Sequence, residues 1–334
     1  FLLIKDQDKQ LETAFEIQTT GLMGRMRHTK SEKLVLGISG GADSSIAFFI
    51  CCHALEQLGL PIENLIAVSM PGPGSSVNSQ KNTVDLTNLA GIKQRVISIT
   101  AVTSEHLMTI GHHGTADVTY ENAQARERTK ILMNLANLQK GLVIGTGDLS
   151  EIALGWSTYN GDQMSMYNVN AGLPKTILLR LLPWAAELLF GVEGRNVAQR
   201  IVEAPISPEL QPLAPDGSLR QATEDVLGPY LLHDFFLWHA IQERKTPDLI
   251  FAEANQVFAG DYEPSYILKT LQTFYQRFFR HQFKRTAAPD GPRIFSLSLS
   301  AHTGWRMPSD ASPSLWLHQL DQIQKTIHTG DNVQ

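Results

Sequence analysis

Ser39-Gly40-Gly41-Ala42-Asp43-Ser44-Ser45 follows the apolar run "KLVLGI" and precedes the apolar stretch "IAFFICCHAL". Two adjacent glycines let a backbone turn sharply and come close to a ligand, and hydroxyls with the free N–H groups of a helix start form an anion cradle. Such a site suits phosphate. Asp43 would repel a bare phosphate, so the arrangement calls for Mg²⁺ between the carboxylate and the phosphate oxygens. The competing reading is an ordinary strand-to-helix turn with an Asp or Ser cap. The string is not a Walker A loop, because no Lys follows the second glycine, and it is not the dinucleotide fingerprint. The "GTG" of "VIGTGDL" lacks the third glycine of that fingerprint and is discounted.

Other chemistry-bearing residues stand at turns and helix ends. Glu151 follows a second strand-like run, "GLVIGTG", and is a second candidate magnesium ligand with Asp43; alone it reads equally as part of a capping box with Asp148 or Ser150 as the cap. Lys175, just after Pro174, opens a helix, where a cation opposes the dipole unless an anion occupies the helix end; it is read as a phosphate ligand. Trp156 and Tyr159 flank Ser157 and Thr158 in a Gly-bounded loop, where flat faces suit stacking on a planar ring of a ligand; the alternative is a loop tucked into the core. Arg126 and Arg128 lie in an "RER" run that by itself is a solvated helix face, and Arg128 points to another face from Arg126. Lys284 and Arg285 follow an amphipathic helix and by themselves are partners of its C-terminal dipole.

These residues need elements to position them. Buried strands are expected over 33–38, 64–70, 94–99 and 141–147, with helices over 11–28, 46–58, the stretch up to Ala90, and 121–139. "PGPGSSVNSQ" reads as a loop. Alternating strands and helices need crossover connections, so the sheet is expected to be parallel and doubly wound, with its ligand at the carboxyl ends of the strands. After Lys175 the chain turns mostly helical, over 174–190, 229–244 and 264–284, and ends in a helix with a frayed tail. This divides it into an N-terminal helix or linker (1–30), an α/β core (31–205) and a mostly helical extension packing on the core (206–334).

The 334 residues, 43% hydrophobic, suffice for a full core, and a net charge of -5 without a long basic run argues against nucleic-acid binding. The apolar runs are too short or interrupted to span a bilayer, and no signal peptide opens the chain. Cys51 and Cys52 are adjacent in an apolar helix and cannot build a disulfide framework, which points to a reducing, cytoplasmic setting. His112-His113 and His233-Asp234 lack a partner set for a metal.

"SGGADSS" resembles the pyrophosphate-binding loop of the ATP pyrophosphatases (the PP-loop superfamily), which include NAD synthetases, GMP synthetases, asparagine synthetases and several tRNA-modifying enzymes. "MPGPGSS", "ENAQARER", "GLVIGTGDLSEIALGWSTYNGD", "YNVNAGLPKT", "PISPEL", "TEDVLGPY", "LHDFF", "QFKR" and "WRMPSDA" are similar, in order and spacing, to the synthetase region of glutamine-dependent NAD synthetases. The resemblance implies an α/β, doubly wound, adenine nucleotide alpha hydrolase-like fold with a helical C-terminal extension. It also implies a reaction: the nicotinate carboxylate of deamido-NAD attacks the α-phosphate of ATP, pyrophosphate leaves, and ammonia displaces AMP. Asp43, Glu151 and Lys175 are then catalytic, with Mg²⁺ on Asp43 and Glu151. Gly37, Ser39, Gly40, Gly41, Asp43, Ser44, Ser45, Arg126 and Thr146 bind ATP. Asn122, Glu151, Trp156, Ser157, Thr158, Tyr159, Lys284 and Arg285 bind deamido-NAD. A homo-oligomer, dimer or larger, is implied as well. Alternatives are another adenylating amidotransferase, such as a GMP synthetase, or a silent nucleotide-binding subunit.

Two departures qualify the resemblance. Nothing ahead of Phe1 corresponds to the nitrilase-type glutaminase domain of glutamine-dependent members. The chain is therefore expected to take free ammonia, or ammonia from a separate glutaminase, as a standalone or processed enzyme, although a first residue other than Met leaves open a longer polypeptide. The "PGPGSS" loop and the "LAPDGSLRQA" segment differ in detail from the family and are expected to be mobile.

Overall fold

A computed structural model describes residues 7–212 and 223–329. The chain runs α1 (Gln7–Thr29), β1 (Leu34–Gly37), α2 (Ala42–Gln57), β2 (Leu65–Ser69), α3 (Val77–Leu89), β3 (Arg95–Val96), α4 (Thr100–Thr109), α5 (Val118–Gln139), β4 (Leu142–Gly145), α6 (Leu149–Leu154), β5 (Tyr167–Asn168) and α7 (Lys175–Glu203). It continues through α8 (Thr223–Leu227), α9 (Tyr230–Leu237), a π-helical turn (Trp238–Gln242), α10 (Pro247–Val257), α11 (Pro264–Arg280), α12 (Gln282–Thr286) and α13 (Ser314–Thr329).

The strands pair in the order β3-β2-β1-β4-β5, and every pair is parallel. The chain builds outward from β1 in one direction, then crosses to β4 on its other side. This reversal separates the loops after β1 and β4, and ligands of open α/β sheets sit at such a point. Alternation along the strands sorts side chains into two layers. Leu34, Leu36, Leu65, Ala67, Leu142 and Ile144 face a core shared with α1, α2 and α7. Val35, Ile66, Val68 and Val143 face the other side, with Met70, Ile99 and Ala136. Helix α2 is apolar on nearly all sides because it is enclosed by the sheet, α1 and α7. A separate cluster joins α9, α10, α11 and α13, and α6 of the sheet half contributes Leu149, Ala153 and Leu154 to it.

The parallel doubly wound sheet agrees with expectation, and several boundaries move. Helix α2 starts at Ala42, inside the turn. Helix α3 starts at Val77, within the stretch read as loop, because Ser76 caps it by accepting from Ser79 N. The third strand is two residues at the sheet edge, and β5, α4, α6 and α10 carry signals too short or too weakly periodic to stand out. Helix α7 continues to Glu203 across a break at Gly191 (φ 63°, ψ -154°), a conformation open to glycine. The helix expected over 264–284 ends at Arg280, and α12 follows as a separate turn. The "LAPDGSLRQA" segment lies outside the described residues. Among the described residues no helix is long and apolar enough to cross a membrane. Cys51 and Cys52 are buried and free, and burial pushes both thiols up.

Candidate active site

Asp43 and Glu151 occupy equivalent places: each lies in the first turn of the helix, α2 or α6, that follows a strand on one side of the chain reversal. The turn before α2 depends on Gly40, whose φ is 82° and where a Cβ would lie 2.2 Å from Ser79 O. Ser39 N donates to Ser44 Oγ (3.2 Å), and the Ser44 and Ser45 hydroxyls donate to Gly41 O (3.1 and 2.8 Å), so these serines also hold the turn's shape. Gly37 ends β1 against Leu132 and Met70, and Gly41 N donates to Ser39 Oγ. Before α6, Asp148 is the cap and accepts from Glu151 N at 2.8 Å.

Lys175 joins the two turns. Its Nζ lies 2.7 Å from both Asp43 carboxylate oxygens, 2.6 Å from Asp148 Oδ2 and 3.2 Å from Glu151 Oε1. The contact with Asp148 Oδ2 is an ion pair whose angle falls short of a hydrogen bond. The lysine is 1% exposed, and the Tyr230 ring covers it at 5.3 Å. Burial alone would lower the ammonium, but the three carboxylates outweigh it and hold Lys175 well above its ordinary value. Burial pushes Glu151 up to about 7, against the pull of Lys175 and with the repulsion of Asp43. Burial also pushes Asp148 upward while Lys175 pulls it back. We assign Asp148 as a carboxylate, because both oxygens already face N–H groups. The anions at the start of α7 are therefore carboxylates of the protein, which enclose the Lys175 ammonium.

Carboxylate oxygens of Asp43, Asp148 and Glu151 lie within 4.8 Å of one another, a hard oxygen donor set that fits Mg²⁺. Asn170, fully buried, locks this geometry: its Nδ2 donates to Asp43 O (3.0 Å) and Thr146 O (2.8 Å), while Gln18 of α1 donates to its Oδ1. Asp234 of α9 accepts from Thr176 N (3.0 Å) and Oγ1 (2.7 Å) and pairs with the Ser150 hydroxyl, capping α7 just beside Lys175. Sequence reasoning missed Asn170, considered Asp234 only as part of a discounted metal pair with His233, and saw Asp148 only as a cap; for Asn170, a small polar residue close to Gly172, that proximity was the available signal.

A second group of the expected residues surrounds the loop after α6. Thr158 Oγ1 donates to Asn122 Oδ1 at 2.8 Å, and Thr158 N donates to Asp162 Oδ1. Arg126 is exposed and donates to Tyr159 O (3.2 Å), whereas Arg128 is more buried and donates to Met70 O at the end of β2 (3.1 Å). Lys284 Nζ donates to Gly155 O (2.8 Å) and Ser157 O (2.5 Å), and burial lowers it to about 8. Tyr159 is half-exposed and its ring meets Phe283 at 5.3 Å. Trp156 does not offer a free face: the Arg277 guanidinium lies 5.1 Å over its ring, and the indole packs on the helical cluster. Arg285 is a correction. It is 1% exposed, with its guanidinium on Ala153 O (2.9 Å), Ile152 O and Phe278 O and over the Phe278 ring, so it caps the end of α6 and cannot reach a ligand.

The NAD synthase family model matches residues 15–286. The glutamine-dependent NAD(+) synthetase of Mycobacterium tuberculosis is 38% identical over 92% of this chain and 49% of its own length. That of Aquifex aeolicus is 30% identical over 91% and 49%. The chain thus spans about half the length of the curated relatives it matches. Among solved structures, a glutamine-dependent NAD(+) synthetase from Cytophaga hutchinsonii superposes with a TM-score of 0.74 at 22% identity, covering 94% of this chain and 56% of that one. An NH3-dependent NAD synthetase from Campylobacter jejuni superposes with a TM-score of 0.56 at 21% identity, over 84% and 96%. With a family model spanning most of the chain, and with this sheet order and these two acidic turns, the chain belongs to the NAD synthase family.

Proposed function

We propose that this chain is the synthetase part of an NAD synthetase. The nicotinate carboxylate of deamido-NAD attacks the α-phosphorus of ATP, the bond to the β-phosphate oxygen breaks, and pyrophosphate leaves. Ammonia then adds to the acyl-adenylate carbonyl, loses a proton, and expels AMP to give NAD. The observation that carries this reading is the gathering of Asp43, Asp148 and Glu151 around Lys175 at the chain reversal of the sheet. Two anions must meet in the first step, so charge neutralisation outweighs general base catalysis. Mg²⁺, held by Asp43 and Glu151, supplies that neutralisation when bound.

The chain's own residues orient the reactants. Ser39, Gly40 and Gly41 cradle phosphate, with Arg126 and Thr146 beside the nucleotide. Asn122, Ser157, Thr158 and Tyr159 line the deamido-NAD side, and Lys284 holds their loop. The division into 1–30, 31–205 and 206–334, a homo-oligomeric state and a reducing cytoplasmic setting belong to the same proposal. Two free buried cysteines support the last.

Incubation of the purified chain with Mg-ATP, ammonia and deamido-NAD is expected to yield NAD and AMP in equal amounts, and Asp43→Ala to lower kcat by about a hundredfold or more. Absence of NAD, in an assay where a known synthetase makes it, would remove the proposal. Replacing ammonia with glutamine in the same assay identifies the nitrogen donor.

A further inference from the structure

The three carboxylates on Lys175 are not equivalent. Asp43 and Glu151 are partly exposed, whereas Asp148 is 0% exposed and is held by a second bond as the cap of α6. Asp43 and Glu151 can turn to a divalent cation. Asp148 cannot turn without undoing the cap. A buried ammonium deprived of every counter-charge is strongly destabilised, and the Tyr230 face is a weaker partner than a carboxylate. We propose that Asp148 is a positioning residue, the permanent counter-charge of Lys175, which holds the ammonium in place when Asp43 and Glu151 pass to the metal. Lys175 then has N–H groups free for the phosphate oxygens of the adenylate. This inference rests on the assignment of the site as that of an NAD synthetase.

Asp148→Asn tests it, because the amide oxygen still accepts from Glu151 N while the charge on Lys175 is lost. Asp148→Ser, also a good cap without charge, is the second variant should the first fail to fold. The kcat for NAD formation is expected to fall about a hundredfold, with KM for deamido-NAD within about threefold of the wild type. Starting from Lys175→Met, the added Asp148→Asn change is expected to cost nothing more, the non-additivity of two groups acting as one. A readout independent of turnover is Mn²⁺ binding followed by electron paramagnetic resonance. Lys175 without its own partner clings to Asp43 and Glu151, so Mn²⁺ affinity is expected to fall about tenfold in Asp148→Asn. It is expected to recover in the Asp148→Asn, Lys175→Met double variant, where the competing cation is gone. Wild-type kcat and Mn²⁺ affinity in Asp148→Asn, or additive losses in the double variant, would overturn the inference. A wild-type chain that makes no NAD but shows the Mn²⁺ pattern sinks the functional reading and keeps this one.

Discussion

Neighbouring cationic side chains take different roles here according to burial. Lys284 is partly exposed and holds a loop, whereas its neighbour Arg285 is enclosed and satisfies the end of α6. His233 is equally enclosed. Its Nε2 bonds Leu227 O at 2.8 Å, its Nδ1 faces no acceptor, and burial pushes it down to about 4. An unfolded histidine titrates near 6.5, so between roughly 6.5 and 4 the unfolded chain takes up the proton and the folded one does not. Stability is therefore full above about 6.5 and declines as the pH falls towards 4, by on the order of 3 kcal/mol from this residue. His233→Gln is expected to flatten that acid decline in urea unfolding curves taken at several pH values. An equally steep decline in the variant would show that other groups cause it.

The turn between β1 and α2 is the element on which the proposed phosphate cradle depends. Gly40 is in the left-handed region, and a Cβ there would meet the α3 backbone at 2.2 Å, an atom that cannot step aside as a flexible side chain can. Asn82 of α3 also donates to Gly40 O at 3.1 Å, so the turn and α3 move together. Gly40→Ala is expected to cost about 1–3 kcal/mol of stability and to weaken ATP binding by tenfold or more. Thermal unfolding and calorimetric titration with Mg-ATP measure the two effects. Unchanged ATP affinity would place the triphosphate away from this turn.

The molecule is held together across its two main clusters by α6, which leaves the sheet and buries Leu149, Ala153 and Leu154 among the C-terminal helices. Burying each of the two leucines contributes about 1.5–3 kcal/mol, and the Asp234 and Arg285 caps come from the same half. A chain cut after residue 205 would expose these leucines and uncap the helices that carry Glu151 and Lys175. Such a chain is expected to lose its cooperative melting transition by circular dichroism. A sharp transition near that of the whole chain would instead show that the sheet half folds alone.

The fold class, the glycine turn before α2 and the two acidic candidates were legible in the residue order. Strand alternation, glycine turns and helix caps act over a few residues, so local spacing suffices to read them. The partners were not legible. Lys175 meets Asp43 across 132 positions, Asn170 reaches Asp43 O across 127, and Arg285 finds Ala153 O across 132. Such contacts are set by how α7 packs on α2 and α12 on α6, and burial then decides which charge is free for a ligand and which is consumed in the fold. Composition and spacing carry no information on that packing, so Asp148 as the fixed partner of Lys175 and Arg285 as a cap emerged only from the folded chain.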